Sequence, residues 1–435
     1  MTQAAVHLWG RQIGAVSLDE GQQFAAFEYD PAFLRSGIQV SPLMMPLAQT
    51  IYSFPNLAPV SFHGLPGLLA DSLPDKFGNA LIDAWLATQG RTPQGFNAVE
   101  RLLYTGSRGM GALEFKPAKG PRARNAQKID IDALVALASE VLANRQGLEV
   151  SFAEGHKRES LKEILRVGTS AGGARAKAII AWNPKTNDVC SGQVPAGPDY
   201  SYWILKFDGV SSNRDKELDD PKGYGAIEYA YYKMATAAGI TMAECRLLEE
   251  NDRRHFMTKR FDRPAGGGKL HMQSLAALAH FDFNAAGAHS YEQAIQVIRK
   301  VGLPMQSVEE QFRRMTFNIL ARNQDDHVKN IAFLMDKAGA WALSPAFDLT
   351  YGYNPAGAWT AQHQMSMNGK RDHFTMADFE AVAQVAAMKR GRHKAIVQEV
   401  QEAISTWETI ARDAGVQKSW QVQIAQNLRP NIAAN

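Results

Sequence analysis

The order of hydrophobic and polar positions predicts small antiparallel strands at the start of the chain. Apolar residues from Val6 to Val16 and from Gln23 to Tyr29 alternate, or cluster in short runs broken by glycine and proline. Capping-type residues in segment 71–75 then precede a stripe with helical spacing, formed by Leu81, Ile82, Trp85 and Leu86. These patterns predict a small unit that closes near Phe115.

The remainder of the chain is predicted to be strand-rich at first and mainly helical in its last part. A short amphipathic helix from Asp132 precedes a strand-rich region that reaches about Asp262, and past Gly268 the apolar residues recur at helical spacing. Two stripes define the predicted helices, namely Phe312, Met315, Thr316, Ile319 and Leu320, and then Ile396, Val400, Ile404, Trp407 and Ala411. A strand-rich lobe followed by a helical lobe leaves a cleft, where nucleotide sites commonly lie.

Residues 116–128 have the composition of a linker. They include five basic residues, two prolines and no acidic residue up to Lys128, a mixture that rarely builds a core. We place a domain boundary there. A solvated surface loop inside one domain is the alternative interpretation.

Composition narrows the class of protein. The 435 residues exceed one average domain, and 47 basic against 44 acidic residues give a net charge of +3, which does not indicate direct DNA binding. Cys190 and Cys245 form no metal-type or disulfide pattern. No membrane span or export signal is expected, so the sequence predicts a cytoplasmic protein.

The segment Gln324-Asp325-Asp326-His327-Val328-Lys329-Asn330 carries the strongest chemical signal. Phosphoryl transfer needs a carboxylate to accept the substrate hydroxyl proton and an oxygen ligand for magnesium. Asp325 and Asn330 have the spacing of the Asp-x-x-x-x-Asn core of a protein-kinase catalytic loop, without the preceding His-Arg. Taken alone, the pair also fits a polar loop at a helix end.

Asp348 follows Asn330 at the end of an apolar segment, where a kinase keeps its second magnesium ligand. The order base, Asn, Asp suits phosphoryl transfer with magnesium. Leu349 stands where the familiar Asp-Phe-Gly triplet has glycine, so the hinge of that triplet is not required here.

Lys206 interrupts the apolar strand Tyr202–Phe207. A charged amine in such a run costs free energy unless it is paired or at an edge. In a kinase it would bind the α- and β-phosphates, oriented by a helix carboxylate, for which Glu228 is the candidate. A surface lysine whose stem is buried is the alternative.

Two further segments suit nucleotide binding. Residues 168–177 are rich in small side chains that let backbone N–H groups approach phosphates, although a hairpin turn explains them equally well. Backbone groups of Lys259, Arg260 and Phe261 are placed to contact adenine, and Asp262 the ribose. A structural ion pair between Arg260 and Asp262 is the alternative.

In this order the motifs resemble the HipA family of serine/threonine kinase toxins. Ser170 to Lys177, including Gly172, Gly173 and Ala174, resembles the family's phosphate loop, and Lys206 its phosphate-binding lysine. Segment 259–262 is similar to its hinge, and segment 325–330, with His327 and Lys329, matches its catalytic loop. Phe347-Asp348 resembles its metal site. Segment 68–72 looks like the family's Leu-Leu-Pro-Asp-Ser stretch, with Ala70 in place of proline.

The resemblance implies an α+β, protein-kinase-like two-lobed fold with a strand-rich N-terminal subdomain and an all-helical C-terminal lobe. The expected domains are 1–118, an N-terminal HipA-type subdomain, 128–262, a kinase N-lobe, and 263–435, a helical C-lobe. It implies an ATP- and Mg2+-dependent kinase that phosphorylates an aminoacyl-tRNA synthetase, causing growth arrest and persistence. It also implies autophosphorylation at Ser170, or at the adjacent Thr169.

The resemblance implies a partner as well, a small helix-turn-helix antitoxin of the HipB type, with DNA contacted only through it. Two other functions fit the same residues. One is a small-molecule phosphotransferase on a kinase-like fold. The other is a nucleotide-binding corepressor whose kinase parts serve assembly alone. The joint presence of Lys206, Asp325, Asn330 and Asp348 favours the active protein kinase.

Overall fold

The computed structural model describes residues 1–120, 128–143, 175–210, 222–264 and 267–432. The chain forms two compact units. The first contains residues 1–39, 47–225 and 244–272, and the second contains residues 40–46, 226–243 and 273–435.

The first unit begins with an antiparallel sheet in the order β4-β3-β2-β1-β5. Its strands are β1 Thr2–Leu8, β2 Arg11–Leu18, β3 Ala26–Tyr29, β4 Ile51–Tyr52 and β5 Leu113–Lys116. Ala4, Val6 and Leu8 alternate as buried positions of β1, as expected for a sheet with one face in the core. The strands predicted from the early apolar runs are confirmed.

The first unit also contains several helices. They are α1 Pro31–Leu34, α2 Pro59–Phe62, α3 Gly67–Ala70, α4 Lys76–Thr88, α5 Ala98–Thr105 and α6 Ile131–Ala143. The carboxylate of Asp75 caps α4 by accepting a hydrogen bond from the Gly78 N–H at 2.6 Å, which satisfies a backbone donor that has no partner inside the helix. The predicted capping segment and its apolar stripe are therefore confirmed.

A second antiparallel sheet of the first unit has the order β7-β6-β8-β10-β9. Its strands are β6 Lys177–Trp182, β7 Val189–Ser191, β8 Ser201–Lys206, β9 Cys245–Glu250 and β10 Arg253–Lys259. One hydrophobic cluster joins this sheet to α4 and α6, through residues such as Leu81, Leu134, Ile180, Trp203 and Met257. The sequence segments on either side of residues 116–128 thus share one core.

The second unit is mainly helical. Its helices are α7 Tyr224–Ala237, from Ala226 onward, α8 Leu275–Ala279, α9 Tyr291–Lys300, α10 Met305–Leu320, α11 Met376–Val385, α12 Arg392–Ser405, α13 Trp407–Asp413 and α14 Lys418–Asn427. Helix α10 packs against α9 and α12, and the predicted stripe of Phe312, Met315 and Ile319 is buried. Each such side chain contributes roughly 1.5–3 kcal/mol by leaving water.

The prediction of an all-helical C-terminal lobe needs one correction. A short sheet in the order β11-β12-β13 accompanies the helices, formed by β11 His271–Ser274, β12 Ala332–Met335 and β13 Trp341–Leu343. The β12 strand is buried throughout, and a short, continuously apolar run of this kind is typical of a covered strand. No helix within the described ranges has the length and apolar content to cross a membrane.

Candidate phosphoryl-transfer site

The predicted catalytic loop lies directly after α10 in the second unit. Residues 328–330 form a single 3-10 turn, in which the Asn330 N–H donates to the His327 carbonyl at 2.9 Å. The Asn330 side-chain N–H2 group donates to the Asp325 carbonyl, also at 2.9 Å. Two residues five positions apart are thus brought into one compact turn.

Asp325 presents its carboxylate at the edge of this turn. The indole N–H of Trp359 donates to Oδ1 of Asp325 at 2.7 Å, and Nε2 of His327 lies 4.0 Å from the same oxygen. The Asp325 side chain remains 48% exposed. A half-exposed carboxylate with one bound donor is accessible to a substrate hydroxyl, as a catalytic base must be.

The neighbouring Asp326 is fully buried. Its carboxylate accepts hydrogen bonds from the Tyr291 hydroxyl at 2.5 Å, from Nδ1 of His363 at 2.8 Å and from the Gln364 N–H at 2.7 Å. Burial raises the pKa of Asp326, but the charge and hydrogen bonds of His363, with those of Tyr291 and Gln364, hold that pKa below its ordinary value. Asp326 therefore anchors the loop as a carboxylate.

Asp348 is placed by the short sheet of the second unit. β12 and β13 are antiparallel, with Phe333 opposite Leu343, and the Ser344 N–H donates to the Ala332 carbonyl at 2.9 Å. The chain that leads to Asp348 therefore runs back along the start of β12, where Asn330 ends the predicted catalytic loop. Asp348 has a left-handed φ of 57°, a conformation that non-glycine residues rarely adopt.

His327 and Lys329 lie beside one aromatic ring. The Lys329 ammonium is 4.7 Å from the centroid of the Phe283 ring, and the His327 ring is 6.1 Å from it. Phe283 lies in the segment between α8 and α9 of the same unit. A cation over an aromatic face is attracted by its quadrupole, so Phe283 helps to order the predicted catalytic loop.

In the first unit, Lys206 of β8 lies directly opposite Lys177 of β6. Both side chains are buried, Lys206 to 8% exposure and Lys177 to 4%, so the alternative of an exposed lysine does not hold for Lys206. Phe256 pairs with Lys206 on the other side, and the Lys206 ammonium lies 5.7 Å from its ring centroid. The Lys177 ammonium lies 2.9 Å from the Asp75 carboxylate.

Arg260 and Asp262 form the ion pair that the sequence left as an alternative. The Asp262 carboxylate is 0% exposed and contacts the guanidinium groups of Arg260 and Arg263 and the Gly111 N–H, each at 2.7–2.9 Å. Burial raises the pKa of Asp262, but the two arginines hold it below its usual value. In this arrangement the Asp262 carboxylate has no exposed oxygen.

The other hinge residues lie on the sheet edge. The backbone N–H groups of Lys259 and Arg260 donate to the carbonyls of Glu244 and Tyr202. The Lys259 ammonium is half-exposed, 3.3 Å from the Glu244 carboxylate. Phe261 follows in the turn. Two of the backbone donors predicted for adenine are thus engaged within the protein.

The remaining predicted residues fall in two groups. Glu228 lies on α7 in the second unit and is buried. The glycine-rich loop with Thr169, Ser170, Gly172, Gly173 and Ala174 lies outside the described residues. The contacts of Trp359, Tyr291 and His363 were not predicted from the sequence, because single residues in loops and helix starts carry no periodic signal.

Models of two protein domains match the chain. Residues 4–116 match the HipA N-terminal domain, and residues 169–407, more than half of the chain, match the HipA-like C-terminal domain. The chain belongs to the HipA family. The family predicted from the motifs is therefore confirmed.

This HipA family member is similar to known proteins both in sequence and in structure. It is 27% identical to a Sinorhizobium fredii protein named "Putative kinase Y4dM" over 180 residues, covering 36% of this chain and 39% of that protein. The chain therefore spans well under half of that relative's length.

A solved structure aligns over almost the whole chain. It is HipA in the Shewanella oneidensis MR-1 toxin-antitoxin complex of HipA, HipB and operator DNA. The TM-score is 0.67 at 17% identity, covering 98% of this chain and 94% of that one. The likeness shows a shared fold, and the antiparallel sheets and helices of the chain confirm the predicted α+β class.

Proposed function

We propose that this HipA family member is an ATP-dependent serine/threonine protein kinase. The turn that joins Asp325 to Asn330 is the observation that carries the proposal, because it holds a base and a magnesium ligand in one rigid element. Asp325 accepts the proton of a serine or threonine hydroxyl as the hydroxyl oxygen bonds to the γ-phosphorus. The bond from that phosphorus to the bridging oxygen breaks, and ADP leaves.

Asn330 and Asp348 are the proposed Mg2+ ligands. The N–H2 group of Asn330 is used on the Asp325 carbonyl, which leaves the amide oxygen, a hard ligand that suits Mg2+. Among the described residues, no group of three or more His, Cys, Asp or Glu side chains could hold a metal by itself. Mg2+ is commonly held by one or two protein side chains together with phosphate oxygens and water. Bound there, the ion would neutralise charge on the phosphates.

Lys206 is proposed to bind the α- and β-phosphates. Its ammonium group supports the role, because a cationic side chain on the sheet attracts a polyanion, whereas the charge of Lys177 on the adjacent strand is paired with Asp75. The loop with Gly172, Gly173 and Ala174 is proposed to bind phosphates through its N–H groups, and Glu228 to orient Lys206. Segment 259–261 is proposed to contact adenine, with His327 and Lys329 near the phosphates.

The proposed biological role is that of a toxin. Its substrate class is a translation component, an aminoacyl-tRNA synthetase, whose phosphorylation would arrest growth and produce persistence. Autophosphorylation at Ser170 would place a dianion among phosphate-binding N–H groups and compete with ATP. The Shewanella HipA is complexed with HipB and operator DNA, which supports a HipB-type antitoxin as the partner here, with DNA contacted through it.

The test is autophosphorylation of the purified full chain. Wild-type protein incubated with Mg-ATP is expected to gain phosphate on Ser170 by mass spectrometry, and Asp325→Gln protein is expected to gain none. Asp336→Asn, a change at an exposed turn that follows β12, serves as the control and should behave as wild type. If wild-type protein phosphorylates neither itself nor any serine or threonine in a cell lysate, the proposal fails.

A further inference from the structure

Residues 359–364 form a strap that is tied to both aspartates of the catalytic loop. At its start, the Trp359 indole donates to Oδ1 of Asp325 at 2.7 Å. At its end, the Gln364 N–H donates to Oδ1 of Asp326 at 2.7 Å, and the His363 ring contacts Oδ2 at 2.8 Å. One short segment therefore makes hydrogen bonds to two adjacent carboxylates.

Hydrogen bonds within the 359–364 strap also link its two ends. The Gln364 side-chain amide donates to the carbonyls of Trp359 and Gln324, the latter at 3.3 Å. The hydrogen bond to the Trp359 carbonyl fixes the backbone that carries the indole, and the one to Gln324 fixes that backbone against the residue preceding Asp325. The indole is thus held by a network whose centre, Asp326, is fully buried.

The two carboxylates have different surroundings and different uses. Asp326 is 0% exposed, and three donors occupy it, so it is an anchor. Asp325 is half-exposed, and a carboxylate with that freedom samples several orientations at an entropic cost when it must act in one. A donor that fixes one oxygen removes that freedom. Indole donates but does not accept, so it cannot take the proton in place of Asp325.

Close backbone packing beside Asp325 also restricts the segment that leads to Trp359. A Cβ atom on Gly352 would lie 3.3 Å from the backbone nitrogens of Gln324 and Asp325, and the Gly352 N–H donates to the Arg322 carbonyl at 3.1 Å. The chain between Asp348 and Trp359 therefore passes against the loop backbone, which limits where the indole can lie.

We propose that Trp359 is a positioning residue for phosphoryl transfer. Its N–H holds Oδ1 of Asp325 and leaves Oδ2 as the oxygen that accepts the proton of the acceptor hydroxyl. This inference rests on the proposed kinase function and adds to it a residue that acts through the base. The indole is expected to affect the transfer step and not nucleotide binding, because nucleotide binding uses other groups.

Trp359→Phe tests the inference, because phenylalanine keeps an aromatic ring and lacks the N–H. The expected result is a roughly tenfold lower kcat, the loss of about one hydrogen bond to an ionised group in the transition state. The KM for ATP and the Kd for Mg-ADP should stay within twofold of wild type. Trp420→Phe, a change on α14 where the ring packs on Tyr351, is the control and should leave both constants unchanged.

A spectroscopic measurement tests the contact itself. The eight tryptophans each give an indole N–H signal in a 15N-labelled protein, and the signal lost in Trp359→Phe identifies Trp359. That signal should shift in Asp325→Asn, because an amide replaces the charged acceptor, whereas the Trp420 signal should not. An unmoved Trp359 signal overturns the inference.

The kinetic outcomes distinguish a failure of the Trp359 proposal from a failure of the proposed kinase function. Wild-type protein without any transfer activity overturns the proposed function, and this inference with it. Active wild type with an unchanged kcat in Trp359→Phe overturns the inference alone. A higher kcat in Trp359→Phe overturns it too, since the indole would then be blocking the base.

Discussion

The ammonium group of Lys177 lies 2.9 Å from the carboxylate of Asp75, and both side chains are only 4% exposed. Lys177 opens strand β6 opposite Lys206, and Asp75 caps helix α4. The carboxylate thus neutralises one of two neighbouring buried ammonium groups. The pair joins the segment before α4 to the sheet that carries the proposed phosphate-binding lysine.

Asp75→Asn is expected to destabilise the protein by about 3–5 kcal/mol, because a buried ammonium group loses its partner charge. Asparagine is an equally good N-cap, so the change isolates the ion pair from the cap. Chemical denaturation measures the free energy of unfolding. Asp199→Asn, in the exposed pair with Lys185, is the control and should leave it unchanged. Equal values for the two variants would contradict the assigned role of the buried pair.

Tyr291→Phe is expected to lower the free energy of unfolding by about 1–3 kcal/mol. The buried Asp326 carboxylate loses its hydroxyl donor, and Asn318, which donates to that hydroxyl at 3.0 Å, loses its acceptor. Denaturant titration measures the change. Tyr353→Phe is the matched control, because the Tyr353 hydroxyl makes no hydrogen bond among the described residues. A loss no larger than that of the control would show that the network does not hold the loop.

Stability is expected to fall as the pH is lowered from 6.5 toward 4, in part through His255. This ring is fully buried, and its Nδ1 accepts the Asp208 N–H at 2.9 Å. Burial, helped by the positive charge of Arg253, lowers the pKa of His255 from 6.5 to about 4, against the opposing effects of Asp208 and Asp132. Below pH 6.5 the unfolded chain therefore binds a proton that the folded protein does not accept, which costs up to roughly 3 kcal/mol near pH 4.

His255→Asn should reduce the slope of unfolding free energy against pH in this window. The asparagine oxygen can still accept the Asp208 N–H, but it does not titrate. His373→Asn, at an exposed position with a left-handed φ that asparagine tolerates, should keep the wild-type slope. Denaturation at several pH values from 4 to 8 provides the comparison, and a wild-type slope in His255→Asn would rule out this residue as the cause.

The regular elements were predictable from the sequence because their signal is local. The run at β12 is continuously apolar, and α10 repeats apolar residues at the helical period, so each pattern specifies its own element. In the sequence, only the spacing to Asn330 distinguishes Asp325 from Asp326. The structure adds a physical difference between the two, since Asp325 is half-exposed and Asp326 is buried.

The tertiary contacts of the site were not predictable in the same way. Trp359 bonds to Asp325 across 34 positions, Lys177 to Asp75 across 102, and Gly111 to Asp262 across 151. Such pairs depend on how sheets, caps and loops meet in space, and a single sequence records no period for them. Asp262 shows the consequence, because the same residue that suits a ribose contact in sequence is enclosed by two arginines in the fold.

We propose that Lys206, Asp325, Asn330 and Asp348 act together on Mg-ATP. The most direct measurement is the rate of γ-phosphate transfer from labelled ATP to protein serine or threonine, in wild type and in Lys206→Met, Asp325→Asn, Asn330→Ala and Asp348→Asn. Each variant should lose at least about a hundredfold in rate, since each removes a charge or ligand from the transition state. Transfer at the wild-type rate in any one of the four, with the variant folded, would contradict the account.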